Sequence, residues 1–253
     1  MSDAGSKDIA LSPKTAALLS NVEKYVLPLV YAFLAWRQFR YLQIQSVAWH
    51  SLAGTLPMPS HSCGVHFADM TKHGLIFALM TFTGLTLLLN RPPVRMPGKL
   101  KHVIVPLAVS YYFVLYGAVD SCPAWLRESL MPPDWRYSAA VLGLMSSIAG
   151  YLISIWALMY LRRSFALFVS VREVVVTGPY RYVRHPIYLG YLFDIAGLLL
   201  ATCSIGIMLL AAGFVILLVG RARLEEEALG EASADYQRYF AKTGFLLPRF
   251  RSG

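Results

Sequence analysis

Charge is what this sequence has least of. Only 15% of its 253 residues are Asp, Glu, Lys or Arg, whereas an ordinary soluble domain carries about 25%. So few charges cannot coat a globule of this length, which argues against a soluble domain and for a surface covered largely by lipid. Cysteine is sparse too: Cys63, Cys122 and Cys203 are scattered and match no metal-ligand spacing. Cys63 and Cys122 both fall in segments read as lying outside the cell, which leaves room for one disulfide. There is no Gly-x-Gly-x-x-Gly after a strand, which argues against a Rossmann cofactor site. No run of basic residues interleaved with aromatics looks like a nucleic-acid surface, so no nucleic-acid partner is expected. The net charge of +9 is assigned instead to Lys and Arg held in cytoplasmic loops. Internal repeats, low-complexity tracts and long linkers are missing as well. The first residues, with Lys7, Asp8 and Lys14 ahead of a late apolar stretch, do not have the layout of a cleaved signal peptide.

What the chain does have is apolar length. Apolar residues make up 57% of it and the mean hydropathy is +0.52. A helix needs about 20 apolar residues to cross a hydrocarbon core of ~30 Å. Ala139 to Leu161 is a stretch without one charge, and Gly74 to Leu89 and Val103 to Val119 are shorter uncharged stretches. A first candidate, Ala16 to Trp36, contains Glu23 and Lys24 and is expected to lie partly in the interface. Pro186 to Gly220 holds a single charge, Asp194, and is too long for one ordinary span. Thr202, Cys203, Ser204 and Gly206 sit at its midpoint, so a helical hairpin of two short spans is expected. The chain therefore reads as an all-α, polytopic transmembrane bundle of about six spans. Residues 1–160 form an N-terminal transmembrane region, and 161–253 a core with the hairpin and C-terminal cytosolic helices.

Loop charge orients the bundle. Arg91, Arg95, Lys99 and Lys101 follow the second span, Arg162, Arg163, Arg172, Arg181 and Arg184 the fourth, and Arg221, Arg223, Arg238 and Lys242 the last. Basic loops mark the cytoplasmic side, which places both termini and the C-terminal helices in the cytosol. Arg37 and Arg40 fall on the wrong side in this scheme. Gly143, Ser147, Gly150 and Ser154 share one face of the fourth span, where small residues let a neighbouring helix approach closely. His50, His61, His66 and His73 match no compact ligand pattern; they are read as loop histidines, and no metal site is expected. The apolar tail Gly244 to Pro248 is expected to fold back onto the membrane surface.

Two clusters carry chemistry. In the first, Thr177 to Tyr188, Gly178-Pro179 marks a turn and Pro186 suits the first turn of a helix. His185 then falls near the N-cap, where free N–H groups and the positive dipole end favour an anion. Arg181 and Arg184 strengthen that preference. The second cluster is Arg221-Ala222-Arg223-Leu224-Glu225-Glu226-Glu227, where i,i+4 pairing on a solvated face is one reading and an inward-turned Glu meeting a ligand is the other. A hairpin between the clusters returns Arg221 and Glu225 to the membrane face that holds His185.

The block GPYRYVRHPIYLGYL, followed by RARLEEEAL from Arg221, the pair Tyr236 and Tyr239, and a Gly244-to-Pro248 tail, resembles the isoprenylcysteine carboxyl methyltransferase family. The wider group includes membrane phospholipid N-methyltransferases. The resemblance runs from about Leu161 to Pro248, a third of the chain. It implies an S-adenosylmethionine site enclosed by Arg172, Glu173, Val174 and Val175, by Tyr180, by His185, Pro186, Ile187 and Tyr188, and by Glu225. It also implies a substrate-side role for Arg221, the Arg four residues before that Glu. The family's Phe-Gly before the tyrosine pair is missing; Gly230 to Ala234 reads Gly-Glu-Ala-Ser-Ala instead.

Elementary chemistry agrees with these assignments. Arg184 or His185 with the helix N-terminus suits a cofactor carboxylate, Glu225 a ribose hydroxyl or ammonium, and Arg221 an anionic substrate group. Arg221, Glu226 and Asp194 are the candidate catalytic residues. Asp194 would cost roughly 2.5–3.5 kcal/mol if it faced lipid, so it should face the bundle interior and line the substrate route. The expected reaction is methyl transfer to a lipid-like or prenylated small acceptor, a prenylcysteine-type carboxylate first. A phospholipid amine or a small thiol is the next choice. A sterol-reductase-like NADPH enzyme is the competing class, though such enzymes typically carry Arg-Arg-Asp where this chain has three glutamates. A transporter or scaffold with ordinary basic loops is the non-enzymatic alternative.

Overall fold

The computed structural model describes residues 10–53, 60–91, 93, 98–115, 119, 121–172, 174–232 and 234–249. Ser12 starts the first helix, α1 (Pro13–Asn21): its hydroxyl accepts the Thr15 amide at 3.1 Å, and Pro13 sits where a missing N–H is harmless. One π-helical turn, Val22–Val26, carries α1 into α2 (Leu27–Ala53). Then come α3 (Ser60–Leu88), α4 (Lys101–Tyr111), the short α5 (Ala124–Arg127) and α6 (Pro133–Leu161). The chain ends with α7 (Pro186–Thr202), α8 (Ile205–Ala232) and α9 (Ala234–Lys242). Among the described residues there are no strands, only isolated bridges.

Four helical stretches are long and apolar enough to cross a membrane: Pro13–Ala48, His66–Leu88, Pro133–Ser164 and Ile205–Glu231. The apolar α7 is shorter. Large apolar side chains on these helices point outward, with Leu29, Leu142, Leu209 and Ile216 all exposed. Contiguous apolar surface of this kind suits lipid, not water. Within the expected third span, Val103 to Val119, the α-helix Lys101–Tyr111 tightens into a 3₁₀ turn over Tyr112–Leu115; Val119 is helical again, and residues 116–118 lie outside the described ones. Pro106 inside α4 removes one backbone donor, and α4 stays short.

The expected hairpin is present. Cys203, in the left-handed conformation (φ 44°), closes α7, and α8 starts two residues later. Along the seam between α6 and α7 the two backbones approach closely, and the small residues make room for it. A Cβ added at Gly143 would strike the Gly197 carbonyl, and one added at Gly150 would strike the Gly190 carbonyl. The Ser147 and Ser154 side chains fill the space beside Gly197 and Gly190.

Glu23, on the π-helical turn, is 2% exposed and turned into the protein. His66 and His73 stand on α3, and His50 and His61 also fall in helices, so none of the four is a loop residue. The tail does not simply lie along the surface: Gly244 is buried, and Phe245 and Leu246 pack against the α7–α8 core of Tyr188, Ile195 and Phe214. Cys122 and Cys203 are thiols rather than half-cystines, and the Cys63 side chain lies outside the described residues. Arg95 and Glu173 also lie outside them.

Candidate active site

Pro186 opens α7 and His185 occupies the N-cap position, as expected, but the imidazole makes no capping bond. Its ring stacks parallel on Tyr188, centroids 5.1 Å apart, with the edge of Phe245 against it. The Tyr188 hydroxyl donates to Glu225 Oε1, and the Arg221 Nε donates to the same oxygen at 3.0 Å. The hairpin thus joins the two sequence clusters at one carboxylate. Arg221 is 4% exposed; its other nitrogens donate to the Ser110 hydroxyl (3.2 Å) and the Leu167 carbonyl (3.0 Å). A buried cation with three hydrogen-bond partners and the Tyr188 ring beside it is held rigidly.

Glu226 faces the other way. Its Oε1 accepts from Arg184 Nε at 2.5 Å and lies 3.1 Å from His185 Nε2. The Arg184 Nη1 donates to the carbonyls of Phe240 (2.9 Å) and Thr243 (2.7 Å), and its guanidinium lies over the Phe240 ring. Arg184 therefore ties the Arg-His-Pro block to α9 and the tail. Backbone bonds from Arg184 and His185 to the carbonyls of Gly244 and Phe245 reinforce that tie.

The segment before Gly178 is held by a residue that sequence reasoning did not single out for the site. Glu23 accepts the backbone amides of Leu167 and Phe168 and pairs with Arg172 at 3.1 Å. Arg172 also donates to the Arg91 carbonyl. Burial pulls the Arg172 guanidinium below its ordinary value, and the Glu23 carboxylate opposes that pull. The signal was the single acid of the first candidate span, since an acid in a membrane helix marks an inward-facing group. Tyr180 is buried, and its carbonyl accepts the Tyr239 hydroxyl at 2.7 Å. Burial pushes the Tyr180 phenol well above its ordinary value, with Glu225 and Tyr239 adding to the effect. Burial likewise raises Tyr239, to about 12.

These groups surround a cavity of about 490 Å³, within the ordinary range for small-molecule sites. Val174, Val175, Tyr180, Arg184, His185, Pro186, Ile187, Tyr188, Arg221 and Glu225 all line it, as do Arg172 and Asp194. Glu226 does not. Asp194 Oδ2 accepts from the Tyr151 hydroxyl at 2.8 Å, so its partner on the fourth span is a tyrosine. Ser170 Oγ and Arg172 Nε, both at the cavity, are buried without a hydrogen-bond partner among the described residues. Native interiors rarely leave such atoms unpaired, so they suit a polar ligand.

The decisive comparison concerns this same stretch of chain. Residues 141–231 match the model of the isoprenylcysteine carboxyl methyltransferase (ICMT) family. The ICMT match covers most of α6, the segment between α6 and α7, all of α7 and nearly all of α8. It agrees with the resemblance carried by the Arg-His-Pro block and the acidic cluster. Together with the long apolar helices it supports a membrane methyltransferase. The chain is also 33% identical over 88 residues to the cobalt-zinc-cadmium resistance protein CzcN of Cupriavidus metallidurans, covering 33% of this chain and 41% of that protein. It is 35% identical over 94 residues to the nickel-cobalt-cadmium resistance protein NccN of Alcaligenes xylosoxydans xylosoxydans, covering 34% and 44%. The chain spans less than half the length of either relative.

Proposed function

We propose that the protein is an integral membrane, S-adenosylmethionine-dependent methyltransferase acting on a lipid-like acceptor. The observation that carries this is the convergence of Tyr188, Arg221 and Glu225 on one wall of a cavity within the ICMT-matching segment. The donor set fits the cofactor. Ser170 and Arg172 offer unpartnered polar atoms, Glu225 is a carboxylate for an ammonium or hydroxyl, and Val174, Val175 and Ile187 supply apolar walls. The first-turn amides of α7 suit a carboxylate. When bound, S-adenosylmethionine supplies a methyl group on a sulfonium.

The chain's own residues then position and select. Arg221, held by Glu225, Ser110 and Leu167, presents a fixed positive charge to an anionic acceptor group. A rigid wall serves in-line displacement, whose main requirement is alignment. A carboxylate acceptor needs no general base. Glu226 acts through Arg184 and His185, closing the tail over the site, and is a positioning residue. Asp194, with Tyr151, lines the acceptor's route. A prenylcysteine-like carboxylate is the leading acceptor, followed by a phospholipid amine or a small thiol. The basic loops support a cytosolic position for this end of the bundle.

The test is methyl transfer from radiolabelled S-adenosylmethionine, offered in parallel to prenylcysteine analogues, membrane lipid extracts and small thiols. Label is expected in the prenylcysteine ester, released by mild base. Label in none of the three acceptors overturns the proposal.

A further inference from the structure

The cavity does not end at Asp194. It continues along α2 and α3 to Arg37, Gln38, Lys72 and His73. These four residues lie outside the ICMT-matching segment. Two contacts fix one end of the cavity. Glu23 holds Leu167, whose carbonyl accepts Arg221, so Glu23 marks the Arg221 end. Arg37 follows Glu23 by fourteen residues, about 20 Å of helix. Lys72 precedes the end of α3 by a similar length. The section between is apolar, lined by Leu34, Ile76, Met80, Leu198 and Phe214. The cavity thus has a polar end, an apolar barrel and a second polar end.

The second end is built rather than incidental. Gln38 and Tyr41 share one face of α2; Asp69, Lys72 and His73 share one face of α3. His73 Nδ1 and Gln38 Oε1 lie 2.9 Å apart, and the imidazole packs on the Tyr41 ring with centroids 4.1 Å apart. The Tyr41 hydroxyl donates to Asp69 Oδ2 at 3.2 Å, while Asp69 Oδ1 stands 3.7 Å from His73 Nε2. Asp69 is therefore engaged by Tyr41 and His73, and it does not line the cavity. Arg37 and Lys72 do line it, and neither has a hydrogen-bond or ion-pair partner among the described residues. Each lies inside a stretch apolar enough to span a membrane. Arg37 is exposed and Lys72 half-buried, and ionisable side chains in such stretches face a cavity or pair with a polar partner.

We propose that Arg37, Gln38, Lys72 and His73 form a second subsite. It takes the anionic group, a phosphate or carboxylate, of an amphiphile whose chain lies in the apolar barrel. The two cations supply the charge, and Gln38 and His73, fixed by the Tyr41–Asp69 frame, supply hydrogen bonds. Binding at this subsite is separate from the cofactor assignment and holds or fails without it.

The test uses the full chain in nanodiscs of neutral lipid, titrated with dodecyl phosphate, dodecanol and inorganic phosphate. Dodecyl phosphate is expected to bind best. The double variant Arg37→Gln/Lys72→Gln is expected to weaken it roughly tenfold or more, two charge-assisted contacts being lost. Arg40→Gln removes a charge from α2 that does not line the cavity and is expected to leave binding intact. The thermal unfolding midpoint of each variant in the nanodiscs is expected to stay at the wild-type value, which reports that the fold survives. Equal binding of dodecanol overturns the anionic subsite, and inorganic phosphate binding as tightly as dodecyl phosphate overturns the role of the chain. A loss in Arg40→Gln as large as in the double variant assigns the effect to interfacial charge and overturns the proposal.

Discussion

Glu23 reaches across to hold two backbone amides and Arg172, all buried. Removing it leaves a guanidinium and two N–H groups uncompensated in a dry environment. Glu23→Ala is therefore expected to destabilise the protein by about 3–5 kcal/mol, read as a lower midpoint of thermal unfolding in detergent. Glu23→Gln, which can still accept the amides, is expected to fall between the two. Asp194 is tied to Tyr151 instead of the cofactor wall. Asp194→Asn is expected to change methylation while cofactor affinity stays at wild type; an equal loss of cofactor binding would rule out a substrate-side role. Residue-level legibility was uneven for a physical reason. Tyr180, His185 and Tyr188 could be read because their chemistry lies close together along the chain. Glu23, Ser110 and Tyr151 meet the site only through long-range packing, and no local spacing announces that.

At the level of elements, α6 and α7 come together because glycine and serine leave room for backbone contact. Gly150→Leu would drive a side chain into the Gly190 carbonyl and the Asp194 backbone. It is expected to abolish stable folding, whereas Leu152→Ala on the exposed face of the same helix is expected to have little effect; monodispersity after purification distinguishes them. The tail has its own signature. The Tyr239 phenol is raised to about 12 from an ordinary value of about 10. A raised phenol contributes stability that is fully present below about pH 10 and is lost as pH rises toward the folded value. Tyrosinate absorbance is expected to show tyrosines ionising late, and α9 is expected to loosen over that window. Ionisation of every tyrosine near pH 10 with the tail still docked would contradict this. The α7–α8 hairpin was legible because one charge in a long apolar run, with small polar residues midway, admits few other folds. The shortness of α4 was not, since Val103 to Val119 is uncharged throughout and hydropathy alone does not report where a helix tightens.

Across the whole molecule, the low charge content and the outward apolar side chains give the same account of its surroundings. The two chemistry-bearing clusters meet at Glu225 because the hairpin returns the chain to its starting level. The cofactor class is the central claim, and a reductase binding NADPH is its nearest rival. Equilibrium binding of S-adenosylmethionine and of NADPH to the purified full chain, with Glu225→Ala alongside, tests it most directly. The account predicts saturable S-adenosylmethionine binding that Glu225→Ala removes, and no binding of NADPH. Saturable NADPH binding with none of S-adenosylmethionine would contradict it.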